Sequence, residues 1–153
     1  MFNSFLIMVP CDIPAEYIDD IKRFTESNYY KIATERKDID PDDKVYGDVI
    51  PVILKPLATT PSHPGAEICT PHRYRDCFGI LRDINLMTNI ITIEITDPKY
   101  LQQSDRVAAI SIHKSCRAKL WLMINPWIGS DSDTMSGKCE IMIRSVVLYI
   151  PEK

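Results

Sequence analysis

Between Phe78 and Thr96 the chain reads as two apolar arms around a short polar centre, and this segment constrains the fold more than any other. In the second arm Ile91, Ile93 and Ile95 alternate with Thr92 and Glu94, the period of a strand with one buried face. The first arm, Phe78 to Ile84, joins it through Asn85-Leu86-Met87-Thr88-Asn89, so the pair is expected to form a β-hairpin.

Other segments supply further strands. Phe5 to Val9 is a continuous apolar run closed by Pro10, which predicts a short strand buried inside the sheet rather than at its rim. Val45 to Leu54 reads as a strand interrupted at Pro51, hence an edge strand or a bulged one. Arg106 to His113 alternates, with Ala108, Ile110 and Ile112 on its core side. Leu120 to Ile124 and Cys139 to Ile150 complete the set, the last with a bulge expected near Ser145.

One helix is predicted near the N-terminus. Asp12 before Pro14, with Glu16 following, offers a capping oxygen, a preset φ and a charge matched to the helix dipole. Tyr17, Ile18, Ile21 and Phe24 then recur at helical spacing and leave Asp19, Asp20, Lys22, Arg23 and Glu26 for solvent. Ser27-Asn28 is expected to end this helix, since Tyr29, Tyr30, Ile32 and Thr34 have better strand than helix character. Asp97-Pro98 opens at most one further turn, through Gln103.

Two segments cannot sustain a ladder. Pro56 to Cys77 carries Pro56, Pro61, Pro64 and Pro71 among Thr, Ser, His and Gly, and Asn125 to Lys138 is built of Pro, Gly, Ser and Asp. Long loops of this kind in compact domains often carry function. Short strands joined by turns, with no helices alternating between them, give the expected class: mainly β with one N-terminal helix (α+β), an antiparallel barrel or sandwich. A length of 153 residues suits one domain, residues 1–153.

Composition narrows the role. Hydrophobic residues at 45% and charged residues at 25% are globular values. A net charge of −3 and a pI near 5.6 argue against a protein devoted to neutralising phosphates. Phe5 to Val9 lacks a basic flank and is too short to span a bilayer, so a cytoplasmic protein with no membrane partner is expected. Five cysteines (Cys11, Cys69, Cys77, Cys116 and Cys139) cannot all pair within one chain and read as free thiols or metal ligands. The abundance of isoleucine and scarcity of glycine suit strands, and also suit an A/T-rich genome such as that of a phage or virus, with a host-cytoplasm or virion location.

Among candidate chemistries, Cys69-Thr-Pro-His72 and His113-Lys-Ser-Cys116 have the two-residue gaps that let a pair of side chains reach one tetrahedral zinc ion. Neither pair has the turn glycine common in zinc knuckles, and burial as small apolar side chains is the plainer reading for Cys77, Cys116 and Cys139. A Cys/His nucleophile drawn from these residues lacks a third group to orient the imidazole. Asp38, Asp40 and Asp42 start like a calcium loop, but Asp43 stands where glycine is needed and Val49 where glutamate is needed, which leaves a solvated acidic turn.

Arg73-Tyr74-Arg75 beside His72 is a basic and aromatic cluster able to stack on a base or pair a phosphate. Arg106, Lys114, Arg117 and Lys119 form a second basic group, best read as mixed-charge surface. Trp121 and Trp127 flank an irregular segment, where Trp127 is a candidate partner anchor. Glycine-rich phosphate loops, nucleophile elbows and His-Glu-x-x-His are absent. The expected role is a non-catalytic binding or assembly module, such as a viral structural or accessory protein. It would hold a protein partner or a second copy through the loops 56–77 and 125–138, using His72, Arg73, Tyr74, Arg75 and Trp127. The alternative is a metal-dependent or Cys/His enzyme, or a nucleic-acid-processing domain, with Cys69, His72, His113 and Cys116 as ligands. No cofactor is expected, zinc at that Cys/His set being the one candidate.

Overall fold

The computed structural model describes residues 5–37, 49–56, 77–96, 117–124 and 141–150. Six strands form a closed barrel: β1 (Phe5–Asp12), β2 (Pro51–Pro56), β3 (Cys77–Asn85), β4 (Ile90–Ile95), β5 (Arg117–Ile124) and β6 (Ile141–Ile150). Their order around the barrel is β1-β4-β3-β2-β6-β5. Between β1 and β2 lie a 3-10 turn (Ala15–Tyr17) and two helices, α1 (Ile18–Thr25) and α2 (Asn28–Glu35).

The expected hairpin is present as β3 and β4, and its alternating isoleucines form one wall of the core. Ile91, Ile93 and Ile95 stand opposite Val9, Ile7 and Phe5 of β1, and opposite Ile84, Leu81 and Gly79 of β3. All three isoleucines are fully buried, in one cluster with Val52, Ala118, Val146 and Leu148 from the remaining strands. A barrel of about eight strands is just wide enough for side chains to fill, so six strands leave an interior made of side chains.

Gly79 is what lets β3 and β4 meet. A Cβ there would fall on the carbonyl oxygen of Glu94 and lie 3.2 Å from Ile93 Cγ2. Close backbone approach of this kind is where a strand tolerates glycine.

Four expectations require correction. The barrel is not wholly antiparallel: β1 runs parallel to β5 at Cys11–Ala118 and Asp12–Lys119, and β2 runs parallel to β6 from Val52–Val146 to Pro56–Ile150. Alternation records which face of a strand is buried and carries no strand direction, so these closing pairs left no local trace. The helical region also holds two helices, and Tyr29, Tyr30, Ile32 and Thr34 lie in α2. Ser27 caps that helix by accepting from the Tyr30 amide at 3.2 Å while donating to the Phe24 carbonyl at 2.6 Å. Tyr30, Ala33 and Thr34 then face inward at helical spacing, and this packing overrides the strand preference of the aromatic and β-branched residues.

Thirdly, the first strand does lie inside the sheet, between β4 and β5, but it is not short and only one of its faces is buried. It continues through Pro10 to Asp12, and its residues alternate between Ile7, Val9 and Cys11 inside and Leu6 and Met8 exposed. Proline is accommodated at position 10, opposite Ile90.

Of the two bulge expectations, the one near Ser145 agrees with the structure. On β6 the register passes from Ser145 to Ile143 opposite Trp121 and Leu122, so Arg144 is the extra residue. The other expectation, that Pro51 makes β2 an edge or bulged strand, is the fourth to be corrected. Strand β2 lies between β3 and β6, and Pro51 is its first residue and pairs regularly with Ile80, a position where a strand admits proline. Where the register shifts between Val52 and Ile53, the extra residue is Phe78 of β3. β5 starts at Arg117 and β6 at Ile141. The expected segments 45–48, 97–103 and 106–113 and the acidic turn at 38–43 lie outside the described residues.

Both helices are anchored in the barrel core. Ile21 and Phe24 of α1 and Tyr30 and Ala33 of α2 belong to the same buried cluster as the interior residues. The Phe24 ring meets Tyr30 edge-on at 5.7 Å between centroids, and the Tyr30 hydroxyl accepts from the Ile84 amide at 3.0 Å. Burial, reinforced by the nearby Asp83 charge and opposed by that amide, pushes the Tyr30 hydroxyl up to about pKa 12. Two smaller buried clusters, Val49–Cys77–Ile80 and Ile53–Val147–Tyr149, complete the packing.

Candidate interaction face

The residues singled out as partner contacts or metal ligands (Cys69, His72, Arg73, Tyr74, Arg75, His113, Cys116 and Trp127) all lie outside the described residues. So do Cys139, Arg106 and Lys114. Of the second basic group, Lys119 is described, and its ammonium lies 5.9 Å from the centre of the buried Tyr149 ring, within reach of a cation–π contact. Cys11 and Cys77 are buried, and neither is in a disulfide. Burial and the adjacent Asp12 carboxylate push the Cys11 thiol from 9.0 up to about 12, which makes it a packing group rather than a nucleophile at neutral pH. Among the described residues no three His, Cys, Asp or Glu side chains gather in a way that could hold a metal, and no helix is long and apolar enough to cross a membrane.

What the described residues do present is a face on the outside of β1, β4 and β3. Because side chains alternate across a strand, Leu6, Met8 and Pro10 project outward together. Their register partners on β4 are Glu94, Thr92 and Ile90. On β3 the same rows continue to Ile80 and to the exposed Asp83 and Asn85. Ile80 is buried in a cluster with Val49 and Cys77 and so closes the face at that end. The β1 side is apolar and open, with Leu6 and Met8 each 64% exposed. Toward β3 the face becomes polar and fixed.

Arg82 fixes it. At the β3 bulge, where the register skips from Leu81 to Asp83, its guanidinium donates to the Thr34 carbonyl at 2.9 Å and to the Arg36 carbonyl at 2.5 Å. It also pairs with Glu94 at 3.0 Å. One side chain therefore satisfies carbonyls at the end of α2, which a helix leaves without internal partners, and ties that end to the barrel wall.

The hairpin turn at the end of this face is equally fixed. Asn85 Oδ1 accepts from the Met87 and Thr88 amides at 2.9 and 3.2 Å, an Asx turn. Asn89 adopts φ 57°, the left-handed region that asparagine tolerates better than most residues. Its carbonyl accepts from the Cys11 amide at 2.8 Å, which holds the turn against β1. Met87 stands at the tip, 96% exposed.

The sequence concealed this face because residues 5–9 are apolar at both parities, so no alternation marked which would be outside. The signal that was present is the inward set Ile7, Val9 and Cys11 continuing past Pro10 in step with Ile91 and Ile93.

No family model, curated protein or solved structure matches this chain.

Proposed function

We propose that this protein is a non-catalytic binding or assembly module that docks an apolar protein surface on the outer face of β1. The observation that carries the reading is the adjacent exposure of Leu6 and Met8 on a barrel strand whose inward residues are fully engaged in the core. Covering both would contribute roughly 2–4 kcal/mol at the usual value for burying large apolar side chains, enough to make them an anchor but too little to be the entire contact. The Arg82–Glu94 pair and the hydrogen-bonded turn support the same reading, since a rigid surface loses little entropy on docking. The remaining contact is assigned, on sequence grounds, to the loops 56–77 and 125–138 with His72, Arg73, Tyr74, Arg75 and Trp127.

Site-specific photo-crosslinking tests the proposal, with the photoreactive residue placed at Met8 or at Lys22 on the exposed side of α1. A discrete adduct from position 8, absent from position 22 and lost when Leu6→Lys is added without a change in melting, is the expected result. An adduct spaced by one chain mass would identify a second copy as the partner. Equal, diffuse labelling from both positions would overturn the assignment.

A further inference from the structure

We draw no further inference here: the strongest candidate, the exposed Leu6 and Met8 row on the outer face of β1, belongs to the surface already described, and nothing in the structure shows what covers it.

Discussion

At Gly79 the absence of a side chain decides how closely two strands can approach. Because the obstructing atom is the Glu94 backbone oxygen rather than the end of a flexible side chain, Gly79→Ala must displace β4 itself. Overpacking of this kind costs about 1–3 kcal/mol, and a denaturant titration should show the loss as a lower midpoint with unchanged slope. Cys11 yields a pH prediction. Its thiol ionises near 9.0 when unfolded and near 12 when folded, so between those values the unfolded chain binds fewer protons and stability falls as pH rises, by up to about 1.4 kcal/mol per pH unit. Tyr30 acts in the same direction from 10.0 upward. Neither group makes stability pH-dependent below about pH 8, where the unfolded thiol is still protonated. Urea midpoints measured across the alkaline range should fall for the parent, and Cys11→Ala should flatten the lower part of that fall. At this scale the burial of Cys77 was legible, since free cysteine is commonly packed, whereas the exposure of Leu6 and Met8 was not. An apolar residue reads the same whether it faces the core or awaits a partner.

At the scale of single elements, α1 contributes through one face. Ile21 and Phe24 are buried while Lys22 and Arg23 are exposed, and Arg23 pairs with Asp20 one turn away. Phe24→Ala is therefore expected to cost about 3–5 kcal/mol through lost transfer energy and the cavity left among Tyr29, Tyr30 and the barrel, whereas Lys22→Ala should stay within about 0.5 kcal/mol. Thermal melts of the two variants check this, and equal small effects would mean that another face of α1 is buried. Half of that face was legible: of the four apolar residues at helical spacing, Ile21 and Phe24 are buried, whereas Tyr17, in the 3-10 turn, and Ile18 are 38% and 39% exposed. The break after it was also legible, but its outcome was not. Ser27 is a good helix end and a good helix start, and only the buried hydroxyl bonded to both Phe24 and Tyr30 shows that it serves as both. The β3–β4 hairpin was the clearest element because Ile91, Ile93 and Ile95 share one parity while Thr92 and Glu94 hold the other.

For the whole molecule, the barrel follows from strands that each bury at least one apolar face and must find two neighbours. Closure removes exposed strand edges, which is consistent with a surface that presents side chains rather than free backbone to a partner. That a barrel or a sandwich would form could be read from strand number and spacing, but the choice between them and the closing pairs could not. The contacts of β1 with β5 and of β2 with β6 join segments far apart in the chain, and their parallel direction depends on where the intervening chain returns, which local periodicity does not encode. Those two parallel ladders are the central structural claim, because they place β1 within a continuous wall and orient Leu6 and Met8 outward. The most direct test is a nuclear Overhauser measurement on isotope-labelled protein, reading contacts between Cys11 and Ala118, Val52 and Val146, and Leu54 and Leu148. All three are predicted together with the antiparallel contacts of β1 with β4, whereas the β1–β4 contacts without the parallel ones would show an open sheet and contradict the barrel.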